Sequence, residues 1–549
     1  MSPQKKDTIH IGLCMAGAIS AGAYTAGVID YLFETLDKWE AQRGQPNIPE
    51  HRVVISVMGG ASAGGMTSIV AASSMNNHIE PVKIDPGNLF AEQPNNKFYH
   101  SWVDLTSDDM LNLMLSNTDI INDRAISLLN SSFIDSIGQR MIIVDKENWI
   151  DRNYINPNLK LFATLSNLKG FPYDVQFKSN SSAADKYLAS YHADYACFVL
   201  NKEENDYNND GWIPLNFRTG TNANMAKDAA MATGAFPIGL ASRKVVRKNK
   251  YIKDNEWLPW IVREHFPETG DNHSLFIDGG LINNEPFERV KELLARMEGT
   301  VKSQDYKDFN QTVIMIDPFP SEIKEEYKGE DDILSVASQG STTIFDQLRV
   351  KYSIFEEAFD SDNAGQYLIA PSVYRPDEKG NIKRFQGSKA IACGTFGGFG
   401  GFINKKFRIH DYFLGRANCE KFLRDHFTVP VKVQNKIIEA GYKNVQNRSP
   451  YISQTDKEEG LQIIPVLDER KENIFMPDFG NGMIWPVMKN DELKNYKKAI
   501  KNRADAVIKA SFKGNTLLWM IRKLYLNKKI SNLVLEKVEK SLEEHCLLK

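Results

Sequence analysis

Ser62 sits in the string Gly60-Ala61-Ser62-Ala63-Gly64, with Gly59 and Gly65 on its flanks. A serine between small residues at a sharp strand-to-helix turn is set up for nucleophilic attack. The turn pushes the hydroxyl out of the sheet, and the helix N-terminus favours developing negative charge. The same string also suits a plain turn beneath a closely packed helix, so the setting decides. Residues 53–58 (VVISVM) form an apolar run directly before it, and a helical pattern with Met66, Ile69 and Val70 follows. A hydroxyl is a poor nucleophile at neutral pH and needs a base. The ten histidines are scattered, and none closes a clear strand. Asp278 does: residues 274–277 (SLFI) stop at Asp278-Gly279-Gly280. A carboxylate at the C-terminal edge of a strand can face an elbow on a nearby strand. Asp-Gly is also the commonest kind of turn, as Asp210-Gly211 illustrates in a polar loop. A third element is the small-residue stretch Met15–Gly22, whose backbone amides, with that of Ala63, could bind the oxyanion of a tetrahedral intermediate. A phosphate-binding turn is the rival, but no Gly-Lys-Ser/Thr ends the stretch and no G-x-G-x-x-G stands there.

The elements that must position these residues are legible as short apolar runs bounded by Gly, Asp or Pro. They cover 8–13, 53–58, 274–277 and 312–316, and read as strands buried on both faces. Helical patterns lie between them, one from near Ala21 through Tyr24, Val28, Leu32 and Leu36. Strand, tight turn and helix in repetition predict an α/β fold with a mainly parallel central sheet flanked by helices. Residues 76–160 and 178–215 are rich in Asn and Asp, and 201–210 reads as an exposed loop. Beyond residue 325 the pattern predicts a long amphipathic helix over 333–360, then a strand at 367–370 that extends the same sheet.

The loop at 15–22, the elbow Gly60–Gly64 and the turn Asp278-Gly279-Gly280 together resemble the patatin-like phospholipases, lipid acyl hydrolases with a Ser–Asp dyad and no histidine. Residues 226–237 (AKDAAMATGAFP) are similar to the segment that precedes the family's dyad aspartate, and Asn283-Asn284-Glu285-Pro286 to the one that follows it. The resemblance covers about residues 8–320 and extends into 396–423, a stretch that long bacterial members share. It implies Ser62 as nucleophile, Asp278 as general base, and the amides around Gly17, Ala18 and Ile19, with Ala63, as the oxyanion hole. Gly60, Gly64, Gly279 and Gly280 support the two turns. It implies an acyl-lipid substrate, most simply a glycerophospholipid, and no cofactor or metal. The family's loop reads Gly-Gly-Gly-x-Arg/Lys-Gly, whereas this chain reads Gly17-Ala18-Ile19-Ser20-Ala21-Gly22. Two glycines are replaced and Ala21 stands at the cation's position. Ala18 and Ile19 resist positive φ, and oxyanion stabilisation weakens unless another residue substitutes. The segment 396–423 reads as packing against the catalytic core, with a lid or channel wall as its other use. His410-Asp411 within it invites a triad that a dyad does not need.

The chain has 549 residues, of which 42% are hydrophobic and 25% charged, with a net charge of −3. That balance excludes wholesale disorder and a basic nucleic-acid binder. Five scattered cysteines without a C-x-x-C pair point to a reducing compartment. No apolar run spans a bilayer and the N-terminus does not read as a signal peptide, which predicts a cytoplasmic protein. Residues 493–540 hold thirteen Lys or Arg against three acids, a net of +10 that leaves −13 elsewhere. Residues 517–526 (LLWMIRKLYL) mix aromatics and cations as amphipathic helices do at anionic membranes. Peripheral contact with the inner membrane face is one reading, and a helix docked on the acidic core with solvated lysines the other. The expected division is a catalytic core at 1–325, an extension packed on it at 326–430, and a helical basic region at 431–549. Two alternatives to hydrolysis stay open: a lipid-binding scaffold with a degraded oxyanion loop, and an acyltransferase.

Overall fold

The computed structural model describes residues 8–85, 87–176, 186–299, 305–320, 366–377, 380–453, 459–468, 476–480, 482–511 and 532–549. The helix expected over 333–360 and the aromatic and basic stretch 517–526 lie outside them.

Strands β1 (Thr8–Met15) and β2 (Arg52–Gly60) pair in parallel, and helix α1 (Gly22–Gln42) connects them. β2 turns at Ala61 directly into α2 (Ser62–Ser74). β3 (Ile155–Gln176) and β4 (Lys186–Leu200) form a long antiparallel pair. Short β5 (Ile213–Leu215), β6 (Arg243–Lys248) and β7 (Asp271–Asp278) follow, then β8 (Gln311–Ile316) and β9 (Gln366–Ile369). Among the described residues one nine-stranded sheet runs β5-β4-β3-β2-β1-β8-β9, with β7 joined to β3 and β6 to β7. Its centre is parallel, and the strand expected at 367–370 extends it beside β8. Helices α3 (Phe133–Met141), α4 (Ala223–Thr233) and α5 (Phe287–Glu298) complete the flanking layers.

Two expectations change. The Asn- and Asp-rich stretch 178–215 contains β4, and β3 begins at the end of the stretch 76–160, while 201–210 holds no strand, as expected for a loop; Asp194 of β4 is buried, and Leu168 and Leu188 are exposed. β7 is not buried on both faces. It runs antiparallel to β3 and β6, and Ser274, Phe276 and Asp278 are buried while Leu275 is 37% exposed. An antiparallel strand with one solvated face alternates in this way.

Helix α6 (Lys405–Asp425), beyond the expected core, lies across α1. A Cβ on Gly27 would meet the Tyr412 carbonyl oxygen at 1.9 Å, and one on Gly415 the Tyr24 carbonyl oxygen at 2.2 Å. Both positions lack a side chain because two backbones touch there. Arg416 seals the crossing with a buried pair to Asp30 and a second to Glu34. α1 is therefore covered on both sides, which explains why Tyr24, Tyr31 and Phe33 on different faces are all fully buried.

Candidate active site

The register of the sheet brings the two candidate residues together. β2 ends at Gly60 opposite Ala163 of β3. β7 arrives from the other direction and ends at Asp278 opposite Leu165, two residues further on. β4 occupies the opposite edge of β3 at both positions. β2 and β7 thus abut C-terminus to C-terminus along one edge, and the turns that leave them face each other. Ser62 Oγ donates to Asp278 Oδ2 at 2.6 Å across 216 positions of sequence.

Each side chain is held from below. Ser62 has φ 50°, a left-handed conformation that non-glycine residues avoid, at a cost on the order of 1–3 kcal/mol. Its amide donates to Thr233 Oγ1 at 2.9 Å, and Ala61 donates to the Met15 carbonyl at 3.2 Å. Gly64 lies directly beneath the first-strand loop, where a Cβ would stand 2.1 Å from the Met15 oxygen. The Asp278 amide donates to the Ala235 carbonyl at 2.9 Å, and Ser166 Oγ to the Asp278 carbonyl at 2.8 Å. Gly279 and Gly280 form the tight turn after it, and the Gly280 amide donates to Asp278 Oδ1 at 2.8 Å. Burial pushes the Asp278 carboxyl up to about 7, and the hydrogen bonds from Ser62 and Gly280 offset only part of that.

The loop after β1 departs from expectation at Gly17. Its amide donates to the Asn284 carbonyl at 3.3 Å and is not left for an oxyanion. Gly17 serves as a close approach instead: a Cβ there would stand 2.2 Å from Asn284 Oδ1 and 3.0 Å from Ser62 Cβ. The amides of Ala18, Ile19 and Ala63 have no hydrogen-bond partner among the described residues. Ile19 takes φ 47°, so the backbone shape is kept although the residue is β-branched. Ile19, Ser62, Ala63 and Asp278 all line one narrow cavity, walled further by Trp102, Ile137 and Phe402. A second, smaller space continues it past Met66 and Ile137 to Gly138 and Met141. Apart from Ser62, Asp278 and Ser101, the lining of the first is apolar apart from the Trp102 indole nitrogen.

A buried hydroxyl bonded to a carboxylate, beside free amides in the wall of an apolar cavity, has the parts for acyl transfer from a greasy ester. The family model of patatin-like phospholipases matches residues 13–291. The chain belongs to the patatin-like phospholipase family. An uncharacterized protein y4iI of Sinorhizobium fredii (strain NBRC 101917 / NGR234) is 30% identical over 521 residues, which is 87% of this chain and 73% of that one. The similarity therefore runs through the extension as well as the patatin-like part. With the family goes its general class of activity, that of a lipid acyl hydrolase.

Several residues that shape this patatin-like site were not singled out in the sequence. Thr233 and Ala235 lie inside the 226–237 stretch but carry no motif of their own, and Trp102 reaches the cavity from a distant segment; Phe402, which also lines it, belongs to the 396–423 stretch for which a channel wall is one of the two readings. His410 lies elsewhere. It is fully buried, its Nδ1 is 2.7 Å from Asp411 Oδ1, and its ring packs edge-on to Trp485 at 4.8 Å. Asp411 in turn accepts from the amides of Ala392 and Cys393 at 2.8 and 2.9 Å. The pair organises the 392–394 turn and does not line the cavity of Ser62.

Among the described residues no helix is long and apolar enough to cross a membrane. Of the basic region, helix α7 (Lys497–Ser511) docks through buried Ile500, Arg503 and Val507. Arg503 pairs with Asp119 and donates to the carbonyls of Ser116 and Leu128, so it is no part of a solvated basic face. Lys497, Lys498, Lys501 and Lys509 remain exposed.

Proposed function

We propose that this chain hydrolyses the acyl ester of a glycerophospholipid or lysophospholipid, with Ser62 as nucleophile and Asp278 as general base. The contact of 2.6 Å between Ser62 Oγ and Asp278 Oδ2 in the wall of an apolar cavity carries the reading. As Oγ bonds to the acyl carbon, Asp278 takes the hydroxyl proton. The amides of Ile19 and Ala63 face the developing oxyanion, with Ala18 beside them. The tetrahedral species collapses, the ester C–O bond breaks, and Asp278 returns the proton to the leaving alcohol. Water then gives Asp278 a proton as it attacks the acyl-enzyme. Fatty acid leaves, and the proton goes back to Ser62 Oγ. A carboxyl raised to about 7 suits both directions of transfer near neutral pH.

The acyl chain would lie in the apolar cavity, leaving the head group toward solvent. We also assign the exposed lysines of the 493–540 region to contact with anionic lipid, where each basic group near the surface adds about 1 kcal/mol. The test is hydrolysis of a nitrophenyl acyl ester and labelling by a serine-directed fluorophosphonate. Wild type is expected to do both, and Ser62→Ala neither. A wild-type chain inert in both assays would return the site to a lipid-binding scaffold, and acyl transfer to an added alcohol in preference to water would make it an acyltransferase.

A further inference from the structure

The loop after β1, Met15–Gly22, contains no charged residue, and Ile19 holds a backbone shape that its side chain disfavours. Something must keep that loop in place. Ser20, 1% exposed, points away from the substrate cavity. Its Oγ donates to the Gly398 carbonyl at 2.5 Å and accepts from the Gly401 amide at 3.0 Å. Gly401 is gripped from its other end: Arg408, also 1% exposed, donates through Nη1 to the Gly401 carbonyl and through Nε to the Val103 carbonyl at 2.7 Å. Arg408 forms no ion pair among the described residues, so its buried charge is spent on carbonyls. Gly398 packs on Ile19 itself, where a Cβ would lie 3.3 Å from the isoleucine Cβ. Phe402, in the same turn, walls the cavity and packs with Phe133 and Phe399 at 6.4 and 6.0 Å.

We propose that Ser20 is a positioning residue for the oxyanion site, and that through it the segment Gly398–Arg408, outside residues 13–291, is an integral part of the active site. The two-way hydrogen bond of one hydroxyl fixes both the strained residue before it and the turn that closes the cavity. This inference rests on the hydrolase reading above.

The experiment uses the full chain. Ser20→Ala is expected to lower kcat by about 10- to 100-fold with KM changed less than about threefold, because misplaced amides weaken the transition state and not ground-state binding. Phosphonylation of Ser62 by a fluorophosphonate should slow by a similar factor. Ser20→Thr, which keeps the hydroxyl, should recover most of both rates. Gly401→Ala attacks the contact from the other side, since its Cβ would stand 2.7 Å from Ser20 Oγ and 2.7 Å from Cys393 Sγ. It should show the same split, and it serves as the reading if Ser20→Ala does not fold. Unchanged kcat and labelling in a folded Ser20→Ala or Gly401→Ala chain would overturn the proposal while leaving the hydrolase intact. An inert wild type would instead overturn the hydrolase reading.

Discussion

Ser62 supplies one of the two hydrogen bonds that reach the Asp278 carboxylate among the described residues, and the other comes from the Gly280 amide. Among the described residues no cation pairs with that carboxylate, which sits in a buried site. Burial with so few partners is what raises its affinity for a proton.

Activity should therefore rise with pH through about 7 as Asp278 ionises, and reach a plateau above it. A pH profile of kcat/KM on a nitrophenyl ester measures this. An inflection near 4 would mean that the carboxyl is ordinary.

The same burial has a stability cost. The folded-state value of about 7 lies above the ordinary carboxyl value of 3.8, so the folded chain retains a proton that the unfolded chain releases. Stability falls as pH rises from about 4 to 7, by on the order of 4 kcal/mol for this group. Asp278→Asn should abolish hydrolysis and raise the unfolding midpoint more at pH 8 than at pH 5. Equal shifts at the two pH values would remove the assigned cause.

Thr233 touches no substrate, yet its hydroxyl accepts the amide of the strained Ser62. Thr233→Val keeps the volume and removes the acceptor, leaving a buried donor unpaired at a cost of about 1–3 kcal/mol. The expected result is a kcat reduced by about 10-fold or more with KM little changed. Denaturant titration alongside steady-state kinetics separates the two effects.

The apolar space runs from Ser62 past Ile137 toward Gly138 and Met141. Ile137→Phe should close the passage between its two parts. Turnover of long-chain nitrophenyl esters should fall relative to butyrate, with short-chain rates kept within about threefold. A uniform loss over all chain lengths would place the acyl group elsewhere.

His51 ties the far extension to the core. Its Nε2 lies 2.7 Å from the Ile463 carbonyl, and its ring stacks on Tyr442 at 5.7 Å. Burial, aided by Arg43 and opposed by the Ile463 bond, lowers it from 6.5 to about 4. The unfolded chain therefore takes up a proton below 6.5 that the folded chain refuses until about 4. Stability should fall across that window as pH drops, by on the order of 3 kcal/mol for this group. His51→Gln should flatten that part of a urea-midpoint profile against pH.

The parts of the molecule legible in the sequence are those where one physical rule acts alone. β1, β2 and β8 are central parallel strands, buried on both faces, and such strands read as unbroken apolar runs. Ser62 and Asp278 were visible because each follows a short apolar stretch at a glycine-rich turn, although the stretch before Asp278 belongs to an antiparallel strand with one exposed face. β3 and β4 were hidden because polar residues interrupt their apolar pattern, some of them buried in the fold, as Asn167 and Asp194 are, and others exposed, as Asn158 and Lys169 are. Gly17 was misplaced as an oxyanion donor because its spacing is right but its amide turns to Asn284, a partner 267 positions away in the chain. Ser20 and Thr233 carry no local signal: each acts through a single hydroxyl on a segment that only folding brings near.

The end-to-end meeting of β2 and β7 on β3 also orders events in time. A ribosome that has released the first 270 residues has already made Ser62, the loop after β1 and the strand on which β7 will dock. It has not made Asp278. The Gly398–Arg408 segment that grips Ser20 follows more than a hundred residues later still, so the parts of this site leave the ribosome at three separate times and meet only when the later ones dock on the first.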